Sequence, residues 1–339
     1  MTIKNRSPEV HIDFLNRFDV EQAALDDKEI LTAVETGLFM QGQGETAIEP
    51  RTHIRPRAGV DGHFNVLRGW IGGDIDSAGT KVVGDFVDNY RGGRPSEYGI
   101  LTLFDPRNGA PKAIIDATGI TEMRTGAMTA IGARYLAPPE PKVLGHVGAR
   151  GTAYWNVRLL AHYFDFEEIR VHSRRPESRE CFADRLESDL GRKVIATKDW
   201  KSCLQGADIM VEASRLRAPE PLFRTEWIRR GSLVIPYGTM SAVELSLTDV
   251  MDKIVMDDWG QAHGQFGALR DHVDQGLLTA KTLHAELSEI VAGKRPGREK
   301  ENETILFWHR GLSLSDIALG HAILEKAKRL GLGRRIRFH

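Results

Sequence analysis

Gly148-Ala149-Arg150-Gly151-Thr152-Ala153 is the segment with the clearest chemical potential: it closes the apolar run KVLGHVG and leads straight into AYWNVRLLAHYF. A strand that turns at glycines into a helix presents unpaired amides and a partial positive charge, which together seat a diphosphate. The usual dinucleotide spelling is G-x-G-x-x-G/A, and here Arg150 stands where a second glycine lets the backbone approach the phosphates. Two readings follow. Either Arg150 swings out and pairs with phosphate itself, or the segment is a tight strand-to-helix turn that has lost its dinucleotide. After the next strand-like run, EEIRVHS, an acidic residue would select a free ribose 2′-hydroxyl, but the chain has Ser173-Arg174-Arg175. Two guanidiniums beside a hydroxyl suit a 2′-phosphate, so NADP is expected, with NAD as the alternative.

Other chemistries find little support. His63, His263, His272 and His309 are scattered, with no H-E-x-x-H, C-x-x-C or carboxylate cluster at ligand spacing, so no metal site is expected. Asp257-Asp258 are adjacent at a strand end and point to opposite faces, which suits a loop or capping role. There is no G-x-S-x-G elbow. Cys181 and Cys203 lie in helical patterns, where nothing lowers a thiol pKa, so nucleophilic hydrolysis has no candidate.

The elements around the glycine turn alternate. KVLGHVG, EEIRVHS, KVIAT and DIMVEA read as strands, separated by the helical runs AYWNVRLLAHYF, ESRECFADRLESDL and DWKSCLQGA; GSLVIPYG and DKIVMDD extend the series. Upstream, residues 20–40 read as one amphipathic helix. A polar, Gly-rich stretch follows, then from Arg51 to Ile115 the pattern is strand-like, with ILTLFD and KAIIDA forming a hairpin around Asn108-Gly109. ITEMRTGAMTAIGARYLA reads as a helix stopped by Pro138-Pro139, and LSDIALGHAILEKAKRLG as a last helix that returns to the first domain. The fold class is therefore α/β: a Rossmann-type doubly wound parallel sheet over residues 139–317, plus a second, α+β substrate and dimerisation domain from residues 1–138 and 318–339.

Bulk properties agree with this division. A chain of 339 residues exceeds one ordinary hydrophobic core. With 46 basic and 47 acidic residues it has no global field to hold a polyanion or an anionic bilayer, so neither nucleic acid nor membrane is an expected partner. No run approaches the length of a signal peptide core or a membrane span, and two cysteines make no disulfide framework; a cytoplasmic protein is expected.

Across nearly its whole length the chain resembles the ornithine cyclodeaminase and mu-crystallin family. The likeness rests on T-x-x-R-T-x-A-x-T-A in Thr121–Ala130, the lysine of TKVVGDF, LFDPRNGAPKAIIDA, the glycine turn, Glu244-Leu245, KIVMDD and FWHRGLSLSDIA. It implies an imine reductase or amino-acid dehydrogenase, acting as a homodimer on a small amino or imino acid. It also implies that Lys81, Arg51 and Arg124 hold the substrate carboxylate, with Arg55 and Arg57 competing with Arg51 for its role. Arginine forks match carboxylates, and a lysine in an apolar strand needs an anion beside it. Thr125 and Ser214 complete the expected cofactor set. Cyclodeaminases carry an aspartate where this chain has Gly238-Thr239-Met240, so a cyclodeaminase-like lyase is the lesser alternative, as is a cofactor-binding protein without turnover. Trp308 and His309 stand where the family has smaller or polar residues. Asp85, His63, His309 and Lys81 itself are candidate proton donors.

Overall fold

The computed structural model describes residues 9–216, 218–237, 242–261 and 270–339. In chain order the elements are β1 (His11–Leu15), α1 (Arg17–Ala23), α2 (Asp27–Gln43), β2 (Thr46–Ile54), β3 (His63–Ile71), β4 (Ser77–Asp85), β5 (Glu97–Phe104), β6 (Pro111–Asp116) and α3 (Thr118–Leu136). Then come β7 (Val143–Val147), α4 (Ala153–Tyr163), β8 (Glu168–His172), α5 (Pro176–Leu190), β9 (Val194–Ala196), α6 (Trp200–Leu204), β10 (Ile209–Glu212), β11 (Leu233–Pro236) and β12 (Lys253–Met256). The chain ends with α7 (Arg270–Asp274), β13 (Ala285–Glu286), α8 (Leu287–Val291), β14 (Ile305–Trp308), α9 (Ser313–Leu330) and β15 (Arg334–Arg337). It divides into two compact units. The first comprises residues 1–40, 44–121 and 313–339, and the second residues 41–43 and 122–312, so α3 is shared between them.

The first unit holds a mixed sheet in the order β15-β1-β6-β5-β4-β3-β2. β5 and β6 form the hairpin around Asn108-Gly109, whose Gly109 has φ 75°. Alternation along β4 buries Ser77, Gly79, Lys81, Val83 and Asp85 on one face, the face that α9 covers. Val82 of β4 lies directly opposite Ile100 of β5, and with Tyr98 these side chains leave an exposed apolar face on the other side. The single helix expected over residues 20–40 is two helices. Ala24 takes a left-handed φ of 45°, and Asp26 and Glu29 then cap each other's amides to start α2, a D-x-x-E signal present in the sequence. β1 and β15 pair the two chain ends, a non-local contact that strand propensity does not reveal.

The second unit is the doubly wound sheet, in the order β13-β12-β14-β11-β10-β7-β8-β9, with every pairing parallel. β14 is inserted between β11 and β12, and all four of its residues are buried; covered on both faces, it shows no alternation to read. One side of the core gathers Val147, Met210, Phe223, Val234, Leu306 and Trp308. Close backbone approach is built in with glycine: a Cβ on Gly126 of α3 would lie 2.5 Å from the Trp155 carbonyl carbon of α4, and one on Gly132 would overlap the Phe307 ring. No helix among the described residues is long and apolar enough to cross a membrane. Replacing Gly126 by alanine should force α3 and α4 apart and cost roughly 1–3 kcal/mol, read as a lower urea midpoint with an unchanged slope.

Candidate functional site

β7 runs in parallel between β8 and β10, so the winding of the sheet reverses between β7 and β10. The glycine turn sits at this reversal. Gly148 has φ 112°, and a Cβ there would lie 2.6 Å from the Ala213 carbonyl oxygen, so both conformation and space demand glycine. Gly151, with φ 57°, meets nothing and is needed for its backbone angle alone. Arg150 is exposed, and Ala153 is fully buried where α4 closes on the sheet. Thr152 precedes α4 without capping it by side chain, so the first-turn amides of this 11-residue helix have no side-chain acceptor there. Glycine at Gly148, small Ala149 and Ala153, and an uncapped helix start form a cradle that fits a dinucleotide diphosphate.

Ser173, Arg174 and Arg175 follow β8 at the carboxyl edge of the same sheet. Arg174 and Arg175 are exposed and make no ion pair among the described residues, while the Ser173 carbonyl accepts from Arg179 at 3.5 Å. Ser214 follows β10, and its amide donates to Glu212 Oε1 at 2.7 Å. Glu212 is a group that sequence reading passed over. Only 1% exposed at the end of β10, its carboxyl is pushed up to about 7 by burial, which the Ser214 contacts offset only in part. An acidic residue ending an otherwise apolar central strand, IMVE, was the available signal.

Arg124 and Thr125 are buried on α3. The Arg124 guanidinium lies against Gly311, whose φ is 89° and whose place a Cβ would contest with it. That loop is held by Asp257, fully buried, whose Oδ2 accepts from the amides of Arg310 at 2.9 Å and Gly311 at 2.8 Å. Asp257 thus has the loop role its position suggested. His309 and His146 are also fully buried; burial pushes the imidazole of His146 down to about 4, and burial with Arg124 nearby pushes that of His309 to about 3. Burial also raises the Cys203 thiol to about 12, so it has no nucleophilic form at neutral pH.

In the first unit Lys81 lies on the buried face of β4, where its ammonium donates to Asp316 Oδ1 at 2.6 Å and to Thr121 Oγ1 at 3.0 Å. The side chains of Lys81 and Asp316 are 1% and 0% exposed. An anion beside this buried ammonium is therefore supplied by Asp316 of α9, the residue that sequence reading missed. Its signal was a carboxylate in a run whose neighbours Leu314, Ile317 and Ala318 are all core. Arg51 is half-buried on β2, where the pairing with β3 shifts between Glu49 and Thr52; such a bulge re-aims the side chain it carries. Arg55 and Arg57 lie beyond the strand and are exposed. His63 pairs with Asp85 across β3 and β4. His263 and the Gly238–Met240 segment lie outside the described residues, and no cluster of metal-ligating side chains occurs among those described.

A profile of the Ornithine cyclodeaminase/mu-crystallin family matches residues 11–330. The chain belongs to that family. Alanine dehydrogenase of Archaeoglobus fulgidus is 28% identical over 315 residues, covering 91% of this chain and 94% of that protein. The structure of Thermococcus litoralis Delta(1)-pyrroline-2-carboxylate reductase, in complex with NADH and L-proline, matches with a TM-score of 0.88 at 28% identity, covering 96% of this chain and 100% of that one. An archaeal alanine dehydrogenase dimer with bound NAD gives a TM-score of 0.89 at 25% identity, over 97% and 100% of the two chains. The family and the α/β class expected from the residues are both correct.

Two outcomes test this geometry. Lys81→Ala and Asp316→Ala should each destabilise the fold by about 3–5 kcal/mol, because each removes the opposite charge from a buried ion pair, whereas the pair Lys81→Met with Asp316→Leu should recover most of that loss in chemical denaturation. The pH dependence of thermal unfolding should have two sides. His146 and His309 titrate below their ordinary 6.5, so the stability they confer is present above 6.5 and is lost as pH falls toward 4 and below. Glu212 titrates above its ordinary 4.5, so its contribution is whole below 4.5 and disappears as pH rises through about 7; Glu212→Gln should flatten the upper side only.

Proposed function

We propose that the protein is an NADP-dependent oxidoreductase that reduces the C=N bond of a small α-imino acid, or oxidises the corresponding amino acid in reverse. The observation that carries this reading is the glycine turn, whose uncapped helix start and close Gly148–Ala213 approach make a diphosphate seat at the reversal of the sheet. Family membership supports it, since the matched relatives are named as a dehydrogenase of an amino acid and a reductase of a cyclic imino acid.

A bound reduced nicotinamide supplies hydride. The chain's own part is to bind and orient. Gly148 to Ala153, with Thr125 and Ser214, hold the dinucleotide, and Ser173, Arg174 and Arg175 take its 2′-phosphate through exposed guanidinium forks. Lys81, Arg51 and Arg124 bind the substrate carboxylate, and that binding energy sets the reacting carbon in place. Asp316 compensates the Lys81 charge, so the ammonium is rigidly aimed before substrate arrives. Because Val82, Tyr98 and Ile100 together expose an apolar face on the first sheet, we propose a homodimer that covers it. Free thiols at Cys181 and Cys203 suit a cytoplasmic location.

The test is loss of NADPH absorbance with a panel of cyclic imino acids and of 2-oxo acids mixed with amines. Consumption with at least one acid is expected. The Arg174→Ala, Arg175→Ala double variant should lose about 10–100-fold in kcat/KM for NADPH and little for NADH, the worth of one or two charge-assisted hydrogen bonds. If no acid is turned over with either cofactor, the redox assignment is wrong; if NADH serves as well as NADPH, only the 2′-phosphate assignment is.

A further inference from the structure

Tyr237 follows β11 directly, and its hydroxyl is hydrogen-bonded to the hydroxyl of Thr152, the residue that opens α4 after the glycine turn. β10 lies between β7 and β11, so this bond crosses the carboxyl end of β10. Two strand spacings, about 10 Å, separate the strands it joins. In an open α/β sheet a ligand lies outside the carboxyl ends of the strands, at the reversal of their order, which here falls between β7 and β10. A dinucleotide with its diphosphate on α4 and its adenosine end over β8 sends its other half in the opposite direction, over β10 toward β11. Tyr237 stands on that path.

The ring of Tyr237 is braced from behind. It stacks on His309, with centroids 5.1 Å apart and planes 15° apart, and His309 stacks on Phe307 at 5.2 Å and 27°. Phe307 fills the notch that Gly132 leaves in α3. The orientation of His309 follows from a chain of hydrogen bonds that starts at a backbone carbonyl. The Gly148 carbonyl can only accept, so His146 Nδ1 carries the hydrogen at 3.1 Å, and its bare Nε2 accepts from Asn156 Nδ2 at 3.1 Å. The Asn156 Oδ1 and the Thr125 carbonyl are then both acceptors for Thr129 Oγ1, at 3.0 and 3.2 Å, which engages its one hydrogen. Toward His309 the Thr129 hydroxyl must accept, so His309 Nε2 donates at 2.9 Å. Gly148 and Thr152, both in the glycine turn, are therefore joined through His146 of β7, Asn156 of α4, Thr129 of α3, His309 just after β14, and Tyr237, all within the second unit.

We infer that Tyr237 is the contact for the ribose–nicotinamide half of the dinucleotide, and that His309 is a positioning residue that fixes the Tyr237 ring. The inference rests on the nicotinamide reading above. It also accounts for His309 in place of a smaller residue, because only a flat ring there continues the stack from Phe307 to Tyr237.

Calorimetric titration of the full chain separates the two halves of the cofactor. The ligands are NADPH with adenosine 2′,5′-bisphosphate, and NADH with AMP; each nucleotide monomer keeps the adenosine end and lacks the nicotinamide half. Tyr237→Ala should weaken the dinucleotide that wild type prefers by tenfold or more and leave the matching monomer unchanged. Tyr237→Phe, which keeps the ring, should fall between. His309→Ala should show the same selective loss at smaller size, and His309→Phe, which restores the stack, should recover part of it. Wild-type affinity for the dinucleotide in Tyr237→Ala overturns the inference. So does an equal loss of dinucleotide and monomer, which marks a prop of the turn and not a contact. Wild-type protein that binds neither dinucleotide overturns the functional reading itself, and this inference with it.

Discussion

An ammonium as deeply buried as that of Lys81 is tolerable only beside a carboxylate, and Asp316 of α9 supplies one at 2.6 Å. The pair ties the last helix to the middle of the first sheet. It explains why residues 313–339 belong to the same compact unit as residues 44–121, although almost 200 residues of the other unit lie between them. It also gives the candidate carboxylate-binding cation a fixed direction, since separating the pair would forfeit the short-range attraction that offsets its desolvation.

The same desolvation constraint organises the second unit by different means. Asp257 is held in the interior by accepting the amides of Arg310 and Gly311, and so shapes the loop against which Arg124 lies. His146 and His309 give up their charge instead, and as neutral rings they can hold a directional chain of hydrogen bonds. Glu212 does neither completely. Its one described backbone donor is too little to hold it ionised, which leaves a carboxyl poised near neutrality beside the glycine turn.

Backbone proximity is the second theme. Gly148 against Ala213 and Gly126 against Trp155 each occupy a place where a Cβ would meet backbone. These approaches let β7, β10, α3 and α4 converge on the start of α4, and they show why Arg150 is admissible within the turn. The glycine that space strictly requires is Gly148, whereas Arg150 occupies an exposed position of the turn.

Local pattern by itself determined much of this molecule. Strand–helix alternation and the glycine turn were enough for the doubly wound sheet, and the β5–β6 hairpin was legible because its turn chemistry and flanking strands are contiguous. The resemblance in Thr121–Ala130 and FWHRGLSLSDIA was enough for the family, later confirmed over residues 11–330. Only tertiary structure decided which partners meet. β14 enters the sheet between β11 and β12, β15 pairs with β1, and Lys81 finds Asp316 across 235 positions of chain. The physical reason is that periodicity reports which face of a segment avoids water, and says nothing about what a distant segment will place against that face. Polar groups such as Asp316, Glu212 and His309 therefore acquire their meaning only once folding has chosen their neighbours.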